Sequence, residues 1–196
     1  MIRLLAANTY RVMPWKIGRG TTTEIFIHPE GAGWDNFLWR VGIADIAQSG
    51  PFSSFPGIDR SIMLLDCPQD SAMALTVDGA RAEMVLHEFI DFPGEAKTCG
   101  ELRGKAVRDF NVMSRRGAIQ HRRGWKALAA HESFALDGSD SRFVHVIAGD
   151  ADLMGAAPEH AILAGGSVIV SGEDNLRLRG GSAGTQLVWA VFGATT

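Results

Sequence analysis

Two arginines, Arg40 and Arg60, are suited to holding a carboxylate, because a planar guanidinium can donate two parallel hydrogen bonds to its two oxygens. Arg40 lies where bulky and small residues alternate, so a strand would place it on one face with Gly42 and Ala44. These small residues would leave room for a ligand. Arg60 precedes an apolar run, which predicts a position at the start of a strand near a barrel mouth. The alternative for either arginine is a structural ion pair with one of three acids, Asp59, Asp35 or Glu24.

A second polar row alternates with apolar residues. Asp109, Asn111 and Met113 would share one face of a strand whose other face carries Phe110 and Val112. Buried carboxylates and amides need hydrogen-bonding partners, and a ligand with a carboxylate and an amide-like group would supply them. We therefore expect a pocket floor at Asp109 and Asn111. The alternative is an internal network that braces the junction between two barrels.

A glycine- and hydroxyl-rich segment contains a cation, an aromatic ring and three threonines close together. It predicts a flexible turn leading into a strand, whose glycines let backbone amides approach an anion. From this segment we assign Trp15, Lys16, Thr22 and Glu24 to the candidate site. We add Phe55, so that the full ligand-binding set also contains Arg40, Arg60, Asp109 and Asn111.

Metal and nucleophile signals are weak. The six histidines are scattered, and neither a His-x-His pair nor an HExxH sequence occurs. A barrel could gather His87, Glu88 and His145 from separate strands, but we expect no metal and no other cofactor. Neither Cys67 nor Cys99 lies in a CxxC sequence. We assign no catalytic residue.

The composition is that of a folded protein, with 46% hydrophobic and 21% charged residues in a chain of 196. A net charge of −3 argues against a nucleic-acid partner, and we interpret the basic stretch 115–126 as a solvated loop or strand edge. No apolar run approaches the ~18 residues of a membrane helix. With only two cysteines, these features predict a cytoplasmic protein without membrane association.

Short apolar segments bounded by Gly, Pro, Asp and Asn predict an antiparallel, all-β architecture. The predicted strands are Phe37–Ala44, Ser61–Asp66, Ala72–Val77, Glu83–Leu86, Arg108–Met113, Phe143–Ala148, His160–Ala164, Ser167–Ser171 and Gln186–Phe192. We expect Asp45–Asp59 to be irregular, with a single helical turn at most. A weak internal repeat, between the residues that follow Arg60 and those that follow Arg142, favours a duplicated barrel.

Three segments, Pro14–Ile25, Gly50–Arg60 and Asp109–Met113, resemble the HutD/Ves family. The first usually reads P-W-K-N-G-G-G-x-T in that family, and here Ile17 and Arg19 replace the asparagine and the middle glycine. The resemblance implies a cupin-like double β-barrel, also described as a bicupin or RmlC-like jelly roll. Residues 1–196 would then form a single unit of two packed barrels, approximately 1–115 and 116–196, with an exchange of strands allowed.

HutD-like proteins accompany bacterial histidine-utilisation enzymes and are thought to bind a pathway intermediate, such as N-formylglutamate or urocanate, without a catalytic metal. The resemblance therefore implies a non-catalytic regulator of histidine catabolism that binds a small carboxylate metabolite, with a homodimer allowed. Two alternatives stay open. One is a metal-independent cupin enzyme of isomerase or epimerase type, with Asp109, Glu24, Lys16 or a histidine as acid or base. The other is a Ves-like stress-induced interaction protein that uses the basic stretch 115–126.

Overall fold

A computed structural model describes residues 1–15, 20–155, 160–172 and 174–195. Within these ranges the regular structure is β, apart from one 3-10 turn at Ala7–Thr9, so the all-β prediction is confirmed. In chain order the strands are β1 (Ile2–Leu5), β2 (Arg11–Pro14), β3 (Gly20–His28), β4 (Trp39–Ile46), β5 (Gly50–Pro51), β6 (Ile58–Asp66), β7 (Ala72–Val77), β8 (Ala80–Glu83), β9 (Phe89–Pro93), β10 (Thr98–Arg103), β11 (Val107–Arg115), β12 (Ile119–Leu128), β13 (Ser133–Leu136), β14 (Ser141–Leu153), β15 (His160–Leu163), β16 (Ser167–Val170) and β17 (Leu176–Ala194).

The chain divides into two compact units, residues 11–120 and residues 1–10 with 121–196. The first unit contains a six-stranded antiparallel sheet in the order β2-β3-β4-β11-β6-β9 and a four-stranded sheet in the order β5-β10-β7-β8. Buried apolar side chains from both sheets form one core cluster, which includes Ile62 and Leu64 of β6 and Met73 and Leu75 of β7. The face of β6 that carries Ile62 and Leu64 therefore lies towards the interior of this unit.

Strand β3 contains a bulge that changes which of its side chains face this interior. Glu24 is opposite Gly42 and Phe26 is opposite Val41, so Ile25 between them has no partner on β4. After the bulge Phe26 and His28 lie with Trp39, at ring centroid distances of 5.1 and 5.4 Å. Even-numbered residues of β3 therefore lie on one face of the strand up to Glu24 and on the other face from Phe26 onwards.

The second unit is built on one seven-stranded antiparallel sheet with the path β1-β16-β14-β17-β12, while β13 pairs with β17 and β15 with β14. Its core includes a fully buried Arg142, which donates hydrogen bonds to the carbonyls of Gly138 and Gly172. The Ser167 hydroxyl lies 2.8 Å from the Tyr10 hydroxyl and 2.9 Å from Nδ1 of His145. These contacts satisfy most of the polar groups named, although Nε of Arg142 has no hydrogen-bonding partner among the described residues. No helix in the described ranges is long and apolar enough to cross a membrane.

The predicted strands match the observed ones most closely where alternation is regular. Ala72–Val77 has the predicted bounds, and Arg108–Met113 extends by a residue or two at each end to become β11. The prediction for Glu83–Leu86 is wrong, since β8 ends at Glu83 and Leu86 makes only an isolated bridge to Leu64.

Two further predictions need correction near the candidate site. Strand β4 begins at Trp39 rather than Phe37, and Phe37 packs with Ile58 and Met113 in a separate cluster. The segment Asp45–Asp59 contains the short strand β5 and no helical turn, and its two ends belong to β4 and β6. In the ranges described here, none of the three sheets closes on itself.

Candidate functional site

A cavity of about 500 Å³ lies within the unit formed by residues 11–120. This volume is in the range of small-molecule sites in proteins. Seven of the predicted site residues line it, namely Trp15, Thr22, Arg40, Phe55, Arg60, Asp109 and Asn111. The remaining two are Glu24, which contacts the lining residue Arg40, and Lys16, which lies outside the described residues.

Strand register explains how separate segments meet at this cavity. Met113 of β11 is directly opposite Arg40 of β4 on one side and Arg60 of β6 on the other. Because residues two apart share a strand face, Asn111 and Asp109 continue the same row away from the two arginines. The predicted polar face of Arg108–Met113 thus borders the cavity, together with both guanidinium groups.

Arg40 is 4% exposed and only partly satisfied. Its Nε donates a 2.7 Å hydrogen bond to Oε2 of Glu24, and Nη1 lies 3.8 Å from Sδ of Met113. The indole ring of Trp34 stacks over the guanidinium, with its centroid 4.5 Å from Cζ. Nη2 is buried and has no hydrogen-bonding partner among the described residues. The structural ion pair considered for Arg40 is present, yet one donor is left for another acceptor.

Arg60 lies among aromatic rings. Its Cζ is 5.6, 5.3 and 5.0 Å from the ring centroids of Phe52, Phe55 and Phe92. Nη1 donates to the carbonyl of Ser53 at 3.2 Å, whereas the buried Nε has no partner in the described part of the chain. Burial lowers the pKa of Arg60 to about 10, so the guanidinium stays charged at neutral pH. A buried cation with an unused donor favours an anionic ligand.

Asp109 is 1% exposed, and neither of its carboxyl oxygens has a hydrogen-bonding partner among the described residues. Burial raises its pKa to about 7, although the charge of Arg60 and the backbone amide of Ala44 act in the opposite direction. The Ala44 amide lies near enough to affect the pKa, but no hydrogen bond of good geometry forms. Oδ1 of Asn111 is also buried and unpartnered.

The cavity therefore combines unused donors and unused acceptors. Nη2 of Arg40 and Nε of Arg60 can donate to a carboxylate, while Asp109 and Oδ1 of Asn111 can accept from an N–H or O–H group. An unpaired buried polar group costs about 1–3 kcal/mol. A ligand that pairs with several of these groups at once would recover much of that cost.

Some site residues could not be assigned from sequence spacing. Trp34 and Phe52 contact the two guanidiniums, but they belong to irregular segments outside the regular strands. Gly42 was expected to leave room for a ligand, but it does not line the cavity. A Cβ at this position would lie 2.9 Å from the carbonyl oxygen of Thr23 on β3. Its small size serves close strand packing instead. In the sequence, Trp34 is distinguished only as an aromatic residue between Gly33 and Asp35, which does not predict a contact with Arg40.

The described residues contain no group of three or more His, Cys, Asp or Glu side chains placed to hold a metal. His87 and Glu88 belong to the unit of residues 11–120, whereas His145 belongs to the other unit. Residues Gly180 to Gly184 read G-x-S-x-G, a sequence found at the catalytic serine of hydrolases. Here it lies inside β17 rather than at a turn from strand to helix, so it lacks the required geometry.

Fold and cavity define an all-β protein of the cupin-like class whose 11–120 unit contains a cavity lined by buried charged and polar side chains. A cupin 2 conserved barrel domain protein from Leptotrichia buccalis has the same fold, with a TM-score of 0.61, 8% identity and 92% of both chains covered. The chain belongs to the HutD family, whose family model matches residues 7–188.

Relatives agree with this assignment. An uncharacterised 21.2 kDa protein in the 3′ region of hutC from Pseudomonas putida is 43% identical over 113 residues, which is 57% of either chain. Protein Ves from Citrobacter koseri is 34% identical over 143 residues, or 71% of each. A conserved protein of unknown function from Pseudomonas aeruginosa PAO1 has a TM-score of 0.86 at 28% identity, with 98% of both chains covered. HutD from Pseudomonas fluorescens SBW25, solved in a formate condition, has a TM-score of 0.80 at 27% identity over the whole of both chains.

Proposed function

We propose that this protein binds a small carboxylate metabolite in the cavity of residues 11–120 and thereby regulates histidine catabolism without catalysing a reaction. One observation carries the proposal: Nη2 of Arg40 and Nε of Arg60 are buried donors beside the same cavity, and neither has a hydrogen-bonding partner among the residues that the structure describes. Two guanidiniums that keep a free donor in a desolvated site match the two oxygens of a carboxylate.

Family membership supports the metabolic role. The relative from Pseudomonas putida is described by its position beside hutC, and HutD of Pseudomonas fluorescens carries the family's name. Because the cavity also offers acceptors at Asp109 and Asn111, the preferred ligand carries an N–H donor as well as a carboxylate. Urocanate and N-formylglutamate both satisfy this requirement.

The proposal includes the finer features expected from the family. Each half of the chain, approximately 1–115 and 116–196, corresponds to one cupin barrel, with an exchange of strands between them allowed, and the protein acts in the cytoplasm, with a homodimer allowed. The cupin-like neighbours support this arrangement at the level of the fold. Trp15, Thr22, Phe55 and Asn111 then contact the ligand. Lys16, predicted from the sequence to do the same, lies outside the described residues.

Calorimetry against urocanate, N-formylglutamate, glutamate and formate tests the binding step. Arg60→Met removes the charge but keeps an unbranched apolar side chain among Phe52, Phe55 and Phe92, so the fold should persist. We expect binding to weaken at least about tenfold, because a charge-assisted pair contributes about 1.5–3 kcal/mol. Arg108→Gln is the matched control, since Arg108 is 49% exposed and pairs with Asp45 outside the cavity. Absence of binding by every compound to the wild-type protein would refute the proposal.

A second candidate function is supported by Asp109 alone. A carboxyl with a pKa of about 7 inside a cavity can donate and accept a proton at neutral pH, as acid–base catalysis requires. A metal-independent isomerase or epimerase would use it in this way. NMR of each compound incubated with the protein distinguishes the two functions: conversion that Asp109→Asn abolishes indicates an enzyme, and unchanged spectra with retained binding indicate a regulator.

A further inference from the structure

Among the described residues, the formal charges of the groups around the cavity sum to zero before a ligand enters. Arg40 and Arg60 each carry one positive charge, and Glu24 and Asp109 each carry one negative charge when ionised. A carboxylate bound at the two guanidiniums adds a negative charge that no group in this set offsets. Excess charge next to side chains that are themselves nearly fully buried is costly, so a bound carboxylate favours the uptake of a compensating proton.

Of the two acids, Asp109 is the better proton acceptor. Glu24 is held by Nε of Arg40 at 2.7 Å, and protonation would weaken that ion pair. In the described part of the chain neither carboxyl oxygen of Asp109 has a hydrogen-bonding partner, and the residue is 1% exposed. Its protonation therefore breaks no ion pair like that of Glu24, although the nearby charge of Arg60 and the amide of Ala44 favour the ionised form. The new O–H group can donate to the ligand or to another buried acceptor. Burial already holds the pKa of Asp109 near 7, which is consistent with this role.

The elements around Asp109 contribute few other titratable groups. On β6 the nearby charge is Arg60, and on β4 the charges are Arg40 and, on the face opposite the cavity, Asp45. Strand β3 contributes Glu24 through Arg40, and β11 itself contributes Arg108, also on the face opposite the cavity. Among the described lining residues, only the two arginines and Asp109 can ionise. The pKa of Arg60 is about 10, so Asp109 is the one expected to change state between pH 6 and 9.

We infer that a carboxylate bound in this cavity is taken up together with one proton, which Asp109 receives from solvent. This inference rests on the proposed function. In the step an O–H bond forms on the Asp109 carboxyl group and a buffer acid loses its proton, with no change in oxidation state. The ligand class is thus a carboxylate whose negative charge is offset by the proton that is taken up with it.

Calorimetry with sodium formate at pH 8.0, in HEPES and in Tris, tests the inference without any variant. Formic acid does not titrate near this pH, so a difference in binding enthalpy between the buffers reports protons exchanged by the protein. We expect uptake of about one proton per formate. Affinity should be level below about pH 7 and fall up to about tenfold per pH unit above it, the limit for one linked proton.

Asp109→Asn and Asp45→Asn provide the matched comparison. Asp109→Asn keeps the side-chain shape, and it should bind formate with no proton uptake and no pH dependence. Asp45→Asn changes an acid that is 44% exposed and pairs with Arg108, and it should retain the uptake. Formate binding by the wild-type protein with equal enthalpies in both buffers would overturn this inference and leave the proposed function intact. A wild-type protein that binds none of the four carboxylates would overturn both.

Discussion

Glu24 accepts a 2.7 Å hydrogen bond from Nε of Arg40, while Nη2 of the same guanidinium has no partner within the described ranges. The acid therefore orients the arginine without using all of its donors. Glu24 and Arg40 are 13% and 5% exposed at their side chains, so the pair is largely removed from water. A fixed guanidinium loses less side-chain entropy when it binds a ligand, and this favours Arg40 as one of the ligand's anchors.

Arg40→Met should destabilise the fold by about 3 kcal/mol, because it leaves the Glu24 carboxylate buried without its partner. Glu24→Gln combined with Arg40→Met should recover about half of that loss. Urea unfolding of the three proteins measures both changes. Glu83→Gln, at an ion pair with half-exposed side chains, should cost less than about 1 kcal/mol. Equal losses for the single and double variants would show that an unpaired Glu24 carboxylate costs the folded protein nothing, which contradicts this prediction.

The raised pKa of Asp109 predicts that the stability of the protein depends on pH. Its pKa is about 7 in the folded protein and about 3.9 in an unfolded chain, so the folded state binds the extra proton between these values. Its contribution to stability is present in full below about pH 4 and is lost as the pH rises to about 7. From pH 4 to pH 8, the free energy of unfolding of Asp109→Asn should therefore rise by about 2–4 kcal/mol relative to that of the wild type. Urea unfolding at several pH values tests this, and a constant difference would contradict it.

Trp34→Leu should weaken carboxylate binding about two- to five-fold, since it removes the ring that stacks 4.5 Å from Cζ of Arg40. Trp34 is 50% exposed, so the free energy of unfolding should change by less than about 1 kcal/mol. Trp34→Phe keeps an aromatic face and should retain most of the affinity. Titration calorimetry and urea unfolding separate the two effects, and a loss of stability without loss of affinity would refute this role.

Gly42→Ala should destabilise the protein by about 1–3 kcal/mol, because the added Cβ would lie 2.9 Å from the Thr23 carbonyl oxygen on β3. Gly33→Ala is the matched control, since its nearest neighbour would be 3.7 Å away and its backbone needs no left-handed conformation. Thermal unfolding compares the two. Similar melting temperatures for the two variants would mean that β3 shifts away from β4 at little cost.

Regular alternation accounts for what could be predicted from sequence. Asp109, Asn111 and Met113 were expected on one strand face, and the pairing of β11 with β4 and β6 confirms it. Arg40 and Ala44 were expected to share a face, and both line the cavity. Local spacing is sufficient in these strands because each residue's direction depends only on its position along the strand.

Features that depend on distant pairing could not be predicted. The choice of Glu24 as the partner of Arg40 follows from the register of β3 with β4, and Asp59, also considered, instead pairs with Arg116. The aromatic surroundings of Arg60 come from two separate segments, the loop with Phe52 and Phe55 and strand β9 with Phe92. Strand β12 is rich in arginine and lacks an apolar run, so its pairing within the seven-stranded sheet left no clear signal.

The bulge at Ile25 also limits how this strand can change during evolution. Substitutions there can preserve the inward position of Glu24, whereas losing or gaining one residue would reverse the orientation of every side chain on one side of it. Either Glu24 would turn away from Arg40, or Phe26 and His28 would leave Trp39. Homologues of this protein should therefore vary in composition along the segment while its length between Gly20 and His28 stays constant.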